Sequence, residues 1–333
     1  MTSGPGLFDI APYTTNWRLD ERFGIPPFST LDTRSGTWRN RRARWLELDM
    51  TSTDGRAERL TFVASRPGGR MATDDVSLKI MAVGTTSEFD PLLCEAAIRW
   101  WSPAGGVILD PFAGGSVRGI VSGILGREYH GVDLSVSQVT ANERTLARLA
   151  PIVDILEPQW YTADSSSWQP AVEADYIFSC PPYGSLEKYS DDPGDLSNMK
   201  FEDFSAAYRR AIAKACDRLK ENRFACFVVG NYREGQRLRD LVGLTVSAFE
   251  DCGLIYHADL ALMNSTATAG MRASAQFNAN RKPVMCHQHV VVMCKGDPKV
   301  AADATERLDP LDVEGDVGSD SQPFPLEDGV RRL

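Results

Sequence analysis

No stretch of this chain approaches the roughly 20 consecutive apolar residues that a membrane-spanning helix needs. Its opening residues, "MTSGPGLFDI", also lack the basic and apolar regions of a signal peptide, so a cytoplasmic location is expected. The seven cysteines are odd in number, scattered and mostly set in apolar runs such as "RFACFVV", which fits reduced thiols better than a disulfide framework. Histidine is scarce, at four residues. Cys286, His287, His289 and Cys294 in "CHQHVVVMC" match no usual ligand spacing, and the segment reads as a strand, so no metal is expected. The chain contains no internal repeat.

What remains is globular: 333 residues with 43% hydrophobic content can form one sizeable core plus extra elements. The net charge of −9 argues superficially against a polyanionic partner, but it is unevenly spread. Residues 300 to 333 hold nine acids against three bases, and their few aromatics and recurrent Asp, Gly and Pro predict a disordered acidic tail. Residues 22 to 70 hold ten arginines against five acids, so a basic surface is available near the N-terminus.

Short β-type runs alternate with helical patterns from about residue 89 to 298, the signature of a doubly wound, mostly parallel sheet with crossover helices. Seven strands are predicted: "VILD" (107–110), "YHGVDL" (129–134), "WYTAD" (160–164), "YIFSC" (176–180), "FACFVVG" (224–230), "IYHADLALM" (255–263) and "HVVVMCK" (289–295). Phe204, Tyr208, Ala211, Ala215 and Leu219 share one helical face, as do Leu238, Leu241, Val242, Thr245 and Phe249. The last two strands lack an intervening helix, which predicts that the final one is antiparallel. Residues 1–85 read as a partly irregular basic extension packed on the core, 86–298 as the catalytic α/β domain, and 299–333 as the acidic tail.

In "VILDPFAGGSVRGIVSGILGREYHGVDLS" a buried strand ends at Asp110, a small-residue turn follows, and a helix begins. Such a turn lets backbone N–H groups and a helix N-terminus approach a ligand closely. About 20 residues past the turn the next strand ends at Asp133, where a carboxylate can accept hydrogen bonds from ribose hydroxyls. A nucleoside-type cofactor is implied. In "YIFSCPPYGS" another apolar strand delivers a loop stiffened by Pro181 and Pro182. These residues lack N–H groups, fix φ, and leave carbonyls free to accept from an exocyclic amino group, while Tyr183 offers a ring face for stacking.

With "DPFAGGS" and "SCPPY" both in place, the chain resembles the S-adenosylmethionine-dependent DNA amino-methyltransferases, which modify adenine N6 or cytosine N4. The family's motifs are Asp-Pro-Phe-x-Gly-x-Gly and Asp, Asn or Ser followed by Pro-Pro-Tyr or Phe. The likeness covers roughly residues 86–298 and implies a Rossmann-like methyltransferase fold with S-adenosylmethionine as cofactor. It further implies that Asp110, Phe112, Ala113 and Gly114 frame the methionine part of the cofactor, that Asp133 holds its ribose, and that Asp164 holds its adenine amino group. Ser179, Cys180, Pro181, Pro182 and Tyr183 would form the catalytic pocket for a flipped-out base. Ser116 stands where the family's second glycine is usual, and Cys180 where Asp, Asn or Ser is usual. The same fold could instead serve RNA or another nucleobase position, or a DNA-binding protein without turnover.

DNA as partner would draw on Arg39, Arg41, Arg42 and Arg44 of "TWRNRRARW", which is either a phosphate-contacting cluster or an amphipathic helix with packed tryptophans and solvated arginines. It would also draw on Arg272, Arg281 and Lys282, in a stretch (265–282) too poor in apolar residues for core and read as a DNA-recognition loop or a mobile lid. The polar segment "YGSLEKYSDDPGDLSNMK" after the catalytic motif is expected to fold over the flipped base or to contact the strand it leaves.

Overall fold

The computed structural model describes residue 23 and residues 25–50, 89–184, 194–264 and 269–305. Most of the predicted 1–85 extension, residues 185–193 after the catalytic motif, and the tail beyond 305 lie outside them.

An eight-stranded sheet forms the centre of the molecule: β1 (Thr30–Asp32), β2 (Val107–Asp110), β3 (Glu128–Asp133), β4 (Gln159–Thr162), β5 (Ala174–Ser179), β6 (Leu219–Val229), β9 (Ile255–Met263) and β10 (His287–Lys295). The intervening β7 (Tyr232–Glu234) and β8 (Arg237–Arg239) pair as a separate hairpin. The strand order is β1-β9-β10-β6-β5-β2-β3-β4. Within that sheet β10 alone runs antiparallel to its neighbours, as expected, although a helix over Ala269–Asn280 does lie between β9 and β10. This is a Rossmann-like doubly wound fold. The chain steps outward from β2 through β3 to β4, then returns to β5 on the other side of β2, so the winding reverses between β2 and β5. In open α/β sheets, ligands bind at the carboxyl ends of the strands flanking that reversal.

Eight helices accompany the strands among the described residues: α1 (Gly36–Leu46), α2 (Pro91–Trp101), α3 (Val117–Ile124), α4 (Val136–Leu149), α5 (Phe201–Cys216), α6 (Leu241–Glu250), α7 (Ala269–Asn280) and α8 (Pro298–Ala304). Strand side chains alternate between two apolar cores, as the pleat requires. Ile108, Tyr176, Phe178, Cys226 and Val292 face α1 to α4, while Leu109, Ile177, Phe227 and Met293 face α5 and α6.

One feature bears out an alternative of the sequence reading and three depart from it. The N-terminal segment packs on the core, with β1 paired in parallel with β9, and "TWRNRRARW" lies in the helix with packed tryptophans, α1, which docks on α2. Ser35 caps α1 by accepting from the Trp38 amide, and Trp38 and Trp45, two turns apart, bury completely. Their indole N–H groups donate to Asp90 (3.0 Å) and to the buried Glu95 (2.7 Å). Arg41 also pairs with Glu95, and Arg42 sits 3.2 Å from Asp90, so these two arginines brace the helix, while Arg39 and Arg44 are exposed. Second, Leu238 belongs to β8, and the helix it was assigned to begins at Leu241. Third, the stretch read as a lid or loop contains α7, because its Ala, Gln and Met favour helix even without an apolar stripe. Fourth, the tail starts later than residue 299, because α8 packs against β6 and buries Ala301.

Candidate active site

Asp110 ends β2 and Ser179 ends β5, the two strands that flank the reversal. The Asp110 carboxylate is fully buried and accepts four hydrogen bonds. Oδ1 takes the Ser179 hydroxyl (2.5 Å) and the Phe112 amide (3.1 Å), and Oδ2 takes Arg118 Nε (2.6 Å) and the Tyr129 hydroxyl (2.7 Å). The Phe112 amide also reaches Ser179 Oγ at 3.2 Å. A buried carboxylate is tolerable only when paired and bonded in this way.

Arg118 completes the arrangement. From the first turn of α3 its Nη2 folds back onto the carbonyls of Phe112 (2.6 Å) and Ala113 (2.9 Å), and its guanidinium lies 4.7 Å from the centre of the Phe89 ring. Burial alone would lower the Arg118 pKa, but Asp110 and Tyr129 outweigh it and hold the pKa raised, so the guanidinium stays charged. Burial, and after it Asp110, pushes the Tyr129 phenol well above its ordinary value, so it remains a neutral donor.

Among the described residues the turn above this cluster is open on its upper side: Gly114 adopts φ +51, and a Cβ placed there would meet none of them within 4 Å. Ser116 does not cap α3 with its side chain, because its hydroxyl bonds the Met50 carbonyl at 3.3 Å. The first amides of α3 therefore have no side-chain acceptor from the capping position, the arrangement that receives anionic or strongly polar ligand groups. Asp133 Oδ2 accepts the Gly114 amide (2.9 Å) and Oδ1 the Ser135 amide (2.8 Å). The Asp133 carboxylate is half-exposed at the end of β3. Asn142 on α4 donates to the Gly114 carbonyl (2.8 Å) and accepts from Gln138 (3.0 Å), fixing the turn from its far side.

The two-proline motif leaves β5 beside this turn. Pro181 is buried, and Cys180, Pro182 and Tyr183 are partly exposed. The Tyr183 hydroxyl accepts from Gln288 of β10, whose amide oxygen takes Asn264 Nδ2 at 3.1 Å. Gly184 follows at φ +52, and a Cβ there would lie 2.3 Å from the Tyr232 hydroxyl, so glycine is required by both conformation and space.

The site residues expected from the sequence therefore divide into groups. Gly114 and Asp133 form one polar, partly open cradle, with Asp164 at the neighbouring strand end, where it is exposed and accepts from the amide (2.8 Å) and hydroxyl (3.0 Å) of Ser166. Phe112 and Ala113 are buried, the Phe112 ring stacking on Tyr208 at 5.6 Å. Asp110 and Ser179 are completely buried and bond each other and the turn, which they brace from beneath. Arg118, Tyr129, Asn142 and Gln288 were missed. Arg118 carried a signal, since a charged residue inside the apolar, glycine-containing run "VRGIVSGI" requires an interior partner.

No protein-family model matches the chain, and no curated protein matches it. Its fold is similar to that of TrmN from Thermus thermophilus (TM-score 0.41, 13% identity, 62% of this chain and 49% of that one). It is also similar to an S-adenosylmethionine-dependent methyltransferase from Clostridium acetobutylicum (TM-score 0.41, 11% identity, 67% and 98%). A third similar structure is magnesium protoporphyrin IX methyltransferase from Synechocystis (TM-score 0.41, 12% identity, 76% and 94%). This chain spans about half the length of the first of these. Values of this size mark a likeness of fold alone.

Proposed function

We propose that this protein transfers a methyl group from S-adenosylmethionine to the exocyclic amino group of a base flipped out of DNA, at adenine N6 or cytosine N4. The observation that carries this reading is the Asp110–Ser179 bond, which sets a glycine turn fit for a nucleoside cofactor beside a proline-locked loop at the point of strand reversal. The cradle fits the cofactor: no described residue crowds the Gly114 backbone, the α3 amides offer donors, and the half-exposed Asp133 carboxylate is proposed to accept from the ribose hydroxyls.

When bound, the cofactor supplies an electrophilic methyl carbon on a sulfonium sulfur. The protein's part is to position the acceptor nitrogen. Backbone carbonyls of the Cys180–Pro182 stretch accept from the amino protons, which raises electron density on the nitrogen. Tyr183, its hydroxyl held by Gln288, presents a ring against which the flipped base stacks, recovering about 1–3 kcal/mol of the flipping cost.

Cys180 lines the pocket in this reading and is not a nucleophile. No Lys, Arg or His adjoins it in sequence, although Arg118 lies within electrostatic range of it in space. That guanidinium is already matched by Asp110 at 2.6 Å, which limits its ability to stabilise a thiolate. Arg39 and Arg44, exposed on α1, together with Arg281 and Lys282, are proposed DNA contacts; the Arg272 side chain lies outside the described residues. Transfer of label from S-adenosylmethionine to unmethylated duplex DNA, with RNA as the competing acceptor, tests the reading. Label in RNA alone would assign the fold to the other substrate.

A further inference from the structure

The turn after β6 projects a small basic hairpin next to the catalytic loop. Tyr232, at its base, is buried, and its hydroxyl occupies the space over Gly184, immediately after Tyr183. Across the hairpin Arg233 lies opposite Leu238 and Glu234 opposite Arg237, with Gly235 at φ +58 making the two-residue turn. Glu234 is held by Arg239, whose guanidinium lies 4.2 Å from the centre of the Phe201 ring, so the hairpin's own acid is neutralised internally. Arg233 and Arg237 have no carboxylate partner among the described residues, and Arg237 and Leu238 are exposed.

A second element adds to this edge. Lys282 Nζ donates to Gln236 at the hairpin tip (2.5 Å), which brings the end of α7 onto the hairpin. The preceding Arg281 lies over the ring of Phe277, which is 48% exposed. Four cations without acidic partners among the described residues, and an exposed aromatic ring, thus lie on the hairpin or on the segment joined to its tip, and the base of that hairpin touches the loop that carries Tyr183, on a chain whose net charge is −9. An overall acidic protein that keeps such an edge beside its site is suited to a polyanion there.

Resting on the function proposed above, we infer that the β7–β8 hairpin and the Arg281–Lys282 segment form the surface that grips the phosphate backbone of duplex DNA next to the flipped base. Phosphate contacts of this kind position the duplex without reading its sequence. The α1 helix contributes less, because Arg41 and Arg42 are held by Glu95 and Asp90.

The test compares the salt dependence of binding to one unmethylated 24-base-pair duplex, about two helical turns, for wild-type protein and an Arg233→Gln/Arg237→Gln variant. Lys282→Gln is a second, milder variant, and calorimetry with S-adenosylmethionine checks that each retains the cofactor site. Removing one cation from a phosphate lowers the slope of log K against log salt by roughly 0.9. A fall of about two for the double variant and about one for Lys282→Gln, with unchanged cofactor affinity, supports the inference. Salt-dependent wild-type binding that neither variant alters overturns the hairpin surface and leaves the DNA reading standing. Wild-type protein that ignores the duplex at low salt overturns both.

Discussion

The Ser179 hydroxyl donates a 2.5 Å hydrogen bond to Asp110 Oδ1, joining the ends of two adjacent parallel strands, one carrying the glycine turn and the other the two-proline loop. Because Asp110 also holds the Phe112 amide and Arg118, movement of either loop is felt by the other. Ser179→Ala is expected to destabilise the protein by about 1–3 kcal/mol, since it leaves part of a buried carboxylate unsatisfied. It should also weaken cofactor binding although Ser179 itself is buried. Urea unfolding and calorimetry with S-adenosylmethionine measure the two effects, and a loss of stability with unchanged cofactor affinity would show that the bond is only structural.

Asp133→Ala removes the carboxylate that holds the Gly114 amide and is proposed to hold the ribose. Cofactor affinity should fall by about 1–3 kcal/mol. Asp133→Asn should recover part of the loss, because it keeps an acceptor. Titration calorimetry gives the comparison, and equal affinity in wild type and the Ala variant would remove Asp133 from the site.

Tyr183→Ala should lose much of the methyl transfer, whereas Tyr183→Phe keeps the stacking face and should lose less. Cys180→Ser should retain substantial activity, since methylation of an amino group needs no covalent attack on the base. The opposite pattern, with Cys180→Ser inactive and a covalent adduct trapped on a 5-fluorocytosine duplex, would point to ring-carbon methylation.

Asp175, at the opposite end of the sheet from the site, accepts from Lys220 (3.0 Å), the Val107 amide (3.1 Å) and Arg223 (3.1 Å). Burial works to raise its pKa, but those partners outweigh burial and hold it below the ordinary 3.8. A depressed carboxylate contributes stability that is present above its unfolded pKa and is lost as pH falls through the folded one. Asp175→Asn should therefore be less stable than wild type at pH 7, and the gap should close as pH drops below about 4. Urea midpoints at pH 7 and pH 3 test this, and a constant gap would contradict it.

The centre of the fold was readable because β2, β3, β5 and β6 are short apolar runs whose ends carry distinctive residues, such as Asp110 before its glycine turn and Ser179 before two prolines. The edge was not. β1 is three residues long, "TLD", and exists because β9, more than 200 residues later, offers it a parallel partner. Nor could local pattern show that Trp38 and Trp45 bury against α2, since that needs Asp90 and Glu95 to receive their indoles. Within the site, the sequence motifs singled out Asp110, Gly114, Asp133 and Ser179, but not the side chains that pack around them. Only the tertiary return of Arg118 and Tyr129 shows that the Asp110 carboxylate is already occupied.

Expression of the protein in a host without DNA methylation, followed by nucleoside mass spectrometry of the host DNA, tests the central claim most directly. The account predicts N6-methyladenine or N4-methylcytosine above a control carrying Tyr183→Ala. DNA that stays unmodified despite folded, cofactor-binding protein, or that acquires only 5-methylcytosine, would contradict it.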